Sequence, residues 1–321
     1  MNMQIVGTMW PAVVFLSLGI IFVPLYVLLV FSLLKDRLNS GRFNTTFHNL
    51  IISLAIGDIL AVIDHAYCNV FKDLGFFSDF YWNNRESYWT APMAYSSVYL
   101  FLFVRCFGAA LISLQRYVTV CKSHTWIGQA TYKMAFWQTF LVHWIPPIVY
   151  CSPIVWNTNI TFDSIDTLKL IVQPFDLKYA MFSGDLFCFI TFLICVSAYF
   201  SVLRQFKSAK MSRSLRKEFR ITIQVVGPVL AITCAFVFYI LQLIFALSNQ
   251  TEMTFFMRSI YPVVTGFMSY VNPLVYLLFS DDLRKLLICF LRCRAFDGGT
   301  PSGTNVRVAP SSAFSSTEVR Q

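Results

Sequence analysis

Residues 11–34 read PAVVFLSLGIIFVPLYVLLVFSLL, a run without one charged side chain. As a helix rising about 1.5 Å per residue it would extend roughly 36 Å, enough to cross a hydrocarbon core of about 30 Å. Buried helices of water-soluble proteins carry shorter apolar stretches and alternate them with charged faces, so the run reads as a membrane span. It is too long for the apolar region of a cleaved leader and has no charged segment before it, so it is expected to be retained.

Further apolar runs lie at about 46–70, 92–120, 133–156, 177–205, 219–247 and 255–279, which makes seven. The segments between them, Lys35–Asn44, Phe71–Ala91, Cys121–Tyr132, Asn157–Asp176, Phe206–Glu218 and Ser248–Thr254, are richer in Asn, Asp, Ser, Lys or Arg. A bilayer core offers no water to free backbone groups, so spans of this length must be helical. The expected fold is therefore an all-α membrane protein, a seven-transmembrane helix bundle. Its expected parts are a short extracellular N-terminus (1–10), the seven-span domain (11–279), an amphipathic cytoplasmic helix (280–294) and a disordered Gly/Ser/Thr/Pro-rich tail (295–321).

Composition agrees: the chain is 57% hydrophobic and only 13% charged, well outside the range of soluble domains. The net charge of +9 would suit a nucleic-acid binder, but the charge sits beside the spans. With the N-terminus outside, nineteen of the 25 Lys and Arg residues fall on the inner side. Lys72, Arg85, Lys169, Lys178 and Arg258 fall outside, and Arg105 lies within a span. That asymmetry predicts an outside N-terminus and a cytoplasmic C-terminus, and no nucleic-acid partner. In this orientation the sequons at Asn159 and Asn249 face outward as glycosylation candidates, whereas the one at Asn44 faces the cytosol. The nine cysteines form no outer disulfide framework and read mostly as small apolar residues.

Three short motifs occur in order along the spans. Ser53-Leu54-Ala55 precedes Asp58 on the second, Gln115-Arg116-Tyr117 ends the third, and Asn272-Pro273-Leu274-Val275-Tyr276 closes the seventh. Over residues 11–294 the chain resembles the rhodopsin-like G-protein-coupled receptors. It departs from their usual pattern: Pro24-Leu25-Tyr26 stands where the first span carries a Gly-Asn pair, the sixth span lacks Cys-Trp-x-Pro, and no cysteines suit the outer disulfide. In these departures it is similar to the nematode serpentine chemoreceptors, most of all the group holding the gamma and V classes. The resemblance implies a sensory receptor in a sensory-cell plasma membrane. It would bind a small molecule from outside and activate a heterotrimeric G protein, with no cofactor or metal.

Ionisable side chains within spans are costly and mark candidate sites. Arg105 precedes Arg116 by eleven residues, and eleven steps of about 100° return nearly to the same azimuth. The resemblance turns Arg116 into the bundle, so Arg105 should face inward too, at about the depth of Asp58, roughly 20 Å from the inner end. In the resembled family this aspartate helps hold a sodium ion. Arg105 is expected to replace that ion with a tethered guanidinium bonded to Asp58, or to form a purely structural pair with it. Asn272, Pro273 and Tyr276 complete this switch core. Further out, Asp64, His65, Tyr95, Tyr99, Asp185 and Tyr261 are the candidate ligand contacts in an aromatic pocket, with solvation at the rim as the plain reading of Asp64 and His65.

At the inner end Gln115, Arg116 and Tyr117 are the candidate coupling residues. Gln115 replaces the family's acidic neighbour of Arg116 and removes one restraint. After the seventh span, Ser280 can cap a helix whose first turn holds Asp281 and Asp282 and whose apolar face, Leu283, Leu286, Leu287 and Phe290, suits the inner leaflet. Cys289 and Cys293 are palmitoylation candidates, and the Ser and Thr residues from 300 to 317 are candidate kinase sites for arrestin. A seven-helix transporter or a sensor using no G protein is the alternative; a retinal protein would need a lysine in 255–279, which has none. No metal-ligand spacing, nucleophile arrangement or phosphate-binding loop points to an enzyme. Glu218, the only acid among the basic residues of 204–220, either restrains Arg116 by bridging it across to the sixth span or is solvated and paired locally with nearby basic side chains. The restraint predicts that Glu218→Ala raises basal signalling, and unchanged basal activity at equal surface expression counts against it.

Overall fold

A computed structural model of the chain describes residues 3–39, 45–122, 125–132, 134–156, 159–208 and 226–292. Its long helices are α1 (Met3–Asn39), α2 (Thr46–His65), α4 (Ala91–Cys121), α6 (Phe136–Val155), α7 (Pro174–Ser208), α8 (Val226–Leu247) and α9 (Thr251–Phe279). Shorter pieces lie between or after them: α3 (Ser78–Asn83), α5 (Trp126–Tyr132), a hairpin of β1 (Thr161–Phe162) and β2 (Leu170–Ile171), and α10 (Asp281–Leu291). The strands pair antiparallel, Thr161 opposite Ile171 and Phe162 opposite Leu170.

Six of the helices are long and apolar enough to cross a membrane. The remaining one, α6, has 20 residues, about 30 Å, but Pro146, Pro147, Pro153, His143 and Gln138 dilute its hydropathy. It packs between α2 and α4 as a full member of the bundle. In the most apolar stretch of α2 and of α4, 72% and 67% of residues are buried, against 22% and 28% for α1 and α7. The second and third spans are therefore the core, and the first and fifth form its rim. Ile20 and Ile21 on α1, Phe200 on α7 and Leu278 on α9 turn outward at 62–76% exposure, a surface that suits lipid tails.

Several segments read as loops are ordered. The stretch 71–91 holds α3, and 121–132 holds α5. The stretch 157–176 holds the hairpin, whose Ile160, Phe162 and Leu168 join the main apolar cluster with Tyr81 and Tyr95. Helices of one or two turns show no readable hydrophobic period. The fourth span starts at Phe136 rather than 133, and the sixth is described from Val226, so 219–225 lies outside the described residues. A π-helical turn, Ala66–Phe71, continues α2. Lys72 follows it and is buried, although its charge reads as a loop charge. Its ammonium donates to Asp73 Oδ1 at 2.5 Å and to the Leu168 carbonyl at 3.0 Å, so it clamps the hairpin onto the bundle. Partial burial pushes the Asp163 carboxyl up, but hydrogen bonds from Thr167, Lys169 and Ser164 outweigh it and hold the group below its usual value. Those bonds close the hairpin turn.

The apolar face of α10 packs in part against the bundle. Leu283 and Leu286 belong to the cluster formed by α1 and α2, and Lys35 of α1 sits 5.3 Å over the Phe290 ring. Ser280 caps the helix by accepting from Leu283 N at 3.2 Å.

Where α2, α4 and α6 meet, Gly108 is indispensable. The His143 imidazole lies across it to reach the Val104 carbonyl at 2.9 Å, and a Cβ at residue 108 would lie 2.5 Å from His143 Nε2 and 2.9 Å from Leu54 Cδ1. Gly108→Ala is expected to destabilise the bundle by about 1–3 kcal/mol through overpacking. The check is thermal melting in detergent, where an unchanged midpoint would refute the close approach.

Candidate functional site

The polar groups inside the bundle fall into three tiers. In the middle tier Asp58 of α2 is fully buried, and its Oδ2 accepts from the Tyr26 hydroxyl at 2.9 Å and from Asn272 Nδ2 at 2.7 Å. One carboxylate thus ties α1, α2 and α9 together. Hydrogen bonds to a charged acceptor in low dielectric are the strong kind. Sequence reasoning missed Tyr26. Tyr26 stands in the Pro24-Leu25-Tyr26 stretch that replaces the Gly-Asn pair of the resembled family, but its partners on α2 and α9 cannot be read from its own helix.

Arg105 faces inward, but its expected bond to Asp58 is not made. Its Nη1 donates to the Thr265 carbonyl at 3.0 Å and to Ser269 Oγ at 3.2 Å, its Nη2 to Thr265 Oγ1 at 2.8 Å, and its Nε to the Phe101 carbonyl at 3.1 Å. A guanidinium has five N–H donors in a rigid fork, and one helical turn of α9 offers three acceptors in matching positions. Asp58 feels Arg105 only at longer range, with the Ser269 hydroxyl between them. Arg105 is therefore a clamp between α4 and α9 beside the Asp58 knot.

A second polar knot joins α2, α4 and α6. Ser53 Oγ lies 2.7 Å from His143 Nδ1 and accepts from Trp144 Nε1 at 3.1 Å, while His143 Nε2 faces the Val104 carbonyl. The carbonyl requires a proton on Nε2, which leaves Nδ1 to accept from Ser53 and satisfies all four groups with a neutral ring. His143 stands out in the sequence as an ionisable residue in a span, but its partners cannot be read from its own helix.

At the hairpin end, aromatic rings from five helices meet. His65 stands edge-on to Phe15 and to Tyr261, both at 5.2 Å. Tyr99 lies 5.3 Å from Tyr95 and 6.3 Å from Tyr239, and Tyr239 lies 6.2 Å from Tyr261. Five of the six candidate ligand contacts, His65, Tyr95, Tyr99, Asp185 and Tyr261, are buried here. Tyr239, which sequence reasoning did not single out, joins them. Asp64 sits nearer the rim, where it accepts from Cys68 Sγ at 3.5 Å. His65 is buried, not solvated.

At the opposite end the Arg116 guanidinium lies 3.3 Å from the centre of the Phe47 ring, a cation–π contact to α2. Gln115 is turned to Thr119 at 2.9 Å, Tyr117 is partly exposed, and the Tyr276 hydroxyl is buried close to both Asp58 and Arg116. Glu218 and Cys293 lie outside the described residues. Cys289 is a partly exposed free thiol on α10, Asn249 occupies the α8–α9 turn at a φ of 54°, and Asn159 precedes β1.

The Tyr26–Asp58 bond can be isolated. A double-mutant cycle of Tyr26→Phe and Asp58→Asn, read by thermal unfolding in detergent, is expected to give a coupling of about 1–3 kcal/mol. Additive single effects would show that the two side chains do not act together.

Comparison with known proteins agrees with this architecture. The family described as "Serpentine type 7TM GPCR chemoreceptor Srv" matches residues 15–293. The chain is also similar to "Serpentine receptor class V-1" of Caenorhabditis elegans, 26% identical over 152 residues. That alignment spans 46% of each protein, so the chain covers about half the length of this relative. The V class named by the resemblance is thereby supported, and the family match runs across all seven long helices. This multi-pass membrane protein belongs to the Srv family of serpentine seven-helix chemoreceptors.

Proposed function

We propose that the chain is a chemosensory receptor of the plasma membrane which binds a small molecule at its hairpin end and activates a heterotrimeric G protein at the end bearing Arg116. One observation carries this reading. A single face of α9 supplies Tyr261 to the aromatic tier, Thr265 and Ser269 to Arg105, Asn272 to Asp58 and Tyr276 to the region of Arg116. Their spacing of three or four residues keeps them on one stripe of the helix. A rotation or shift of α9 would alter all three tiers together, which is the kind of bistable element a transmembrane signal requires.

Orientation follows from the charge asymmetry, which puts the hairpin end outside and α10 in the cytoplasm. In that arrangement Asn159 and Asn249 are available to glycosylation, Cys289 and Cys293 to palmitoylation, and the tail to kinases and arrestin. Arg116, seated over the Phe47 ring, is the residue expected to turn toward a G protein.

The test is a ligand screen in cells that express the receptor with a promiscuous G protein and, in parallel, its Arg116→Ala variant. A hit should activate the intact receptor and lose at least about tenfold of its response in the variant, more than about 1.4 kcal/mol of coupling. A full response from Arg116→Ala at equal surface expression would overturn the coupling assignment, and solute flux through the purified protein in liposomes would make it a transporter.

A further inference from the structure

Asp185 of α7 differs from the other acids inside the bundle. It is only 7% exposed, and neither carboxylate oxygen is hydrogen-bonded by any described residue. Asp58, at comparable burial, has two donors. No described Lys, Arg or His forms an ion pair with Asp185. Arg105, whose charge reaches the neighbouring Cys188, spends its donors on Phe101, Thr265 and Ser269. A carboxylate taken out of water without a partner is unfavourable, and such residues persist where a site uses them.

The surroundings of Asp185 show what would use it. Its charge acts on Tyr99. At the adjoining Gly184 α7 packs against two rings: a Cβ there would stand in ordinary contact, 3.6 Å from Tyr99 and 3.7 Å from Tyr239. Tyr261 adjoins Tyr239 from α9. One buried acid thus stands beside Tyr99 of α4 and next in sequence to the residue that meets Tyr239 of α8, with Tyr261 of α9 beyond Tyr239, and the Arg258 charge also reaches Tyr95 and Tyr99.

We propose that Asp185, Tyr99, Tyr239 and Tyr261 form the recognition site for an organic ammonium head group, so that the ligand of this receptor is an amine or quaternary ammonium compound. The proposal rests on reading the hairpin end as the ligand end. An ammonium satisfies the carboxylate by charge-assisted contact, while ring faces within about 6 Å attract it through their negative quadrupoles. An anionic head would be repelled by Asp185. A bare metal ion would need several oxygen ligands, and among the described residues no cluster of three or more His, Cys, Asp or Glu could hold one. Arg258 also acts on Tyr95 and Tyr99, so a ligand with an ammonium at Asp185 would carry any negative group toward Arg258.

The test uses the purified full chain in lipid nanodiscs and two probes of one shape, trimethyl(phenethyl)ammonium and the neutral hydrocarbon in which carbon replaces its nitrogen. Binding is read as a concentration-dependent rise in melting temperature. The cation is expected to bind the wild type at least about tenfold more tightly than its isostere, and Asp185→Asn to abolish that preference. Without probe, Asp185→Asn should melt at or above the wild-type temperature, because an unpaired acid has been removed. Tyr239→Phe should retain cation binding and Tyr239→Leu should weaken it. Equal binding of both probes, an unaffected Asp185→Asn, no shift with the cation, or an Asp185→Asn melting well below wild type would each overturn the assignment. Binding of the isostere alone, lost in Tyr261→Ala, would overturn it while leaving the small-molecule site in place. Coupling is judged separately, by ligand-free nucleotide exchange on a G protein, which does not involve Asp185.

Discussion

A polar group carried into hydrocarbon must find its partner inside the protein, and this bundle is organised around that requirement. The Asp58 carboxylate draws Tyr26 and Asn272 to it, and the Arg105 fork closes on one turn of α9. Ser53, His143 and Trp144 bind α2 to α6, with the Val104 carbonyl adding α4. Apolar contact does not favour helix association over lipid, since the tails are as apolar as the side chains. These three polar contacts therefore fix how α1, α2, α4, α6 and α9 meet, while α7 and α8 join through apolar and aromatic packing. The glycine at 108 is the steric counterpart, a position where an imidazole ring lies directly on a helix backbone.

The arrangement divides labour along α9. Its outer part carries an aromatic surface, its middle is gripped by a cation and an anion from two other helices, and its far part ends close to Arg116. A shift of the helix would have to break these contacts together, because displacing Asn272 from Asp58 without also disturbing Thr265 and Ser269 would leave buried donors unmatched. A helix held by a few directional bonds has a small number of discrete positions, which suits signalling better than a continuous slide.

Much of the fold was legible because hydrocarbon imposes long uncharged runs, and seven of them can be counted directly. The three motifs located the middle and inner tiers, and the azimuth of Arg105 relative to Arg116 placed it correctly inside the bundle. Its partner was not legible. Whether a guanidinium reaches a carboxylate or the turn of a third helix depends on the relative heights of three helices, and nothing in one chain's spacing states those heights. The same limit hid Tyr26 and Tyr239, whose roles come from what stands opposite them. Short elements were lost for a different reason: α3, α5 and the two-residue strands hold too few residues to display a period, and the burial of Lys72 depends on a hairpin nearly a hundred residues away.

The clamp on that hairpin has a consequence for how the cap behaves. The described cysteines are free thiols, and what fastens the cap is one ammonium seated on a carbonyl and a neighbouring acid, with the Tyr81 and Phe162 rings packed edge to face at 6.2 Å. A covalent staple is either made or broken, and redox conditions decide which. A seat of this kind adds to the apolar contacts of Ile160, Phe162 and Leu168, and its burial shields it from salt. Among the described residues, then, the cap is held by contacts that are individually reversible.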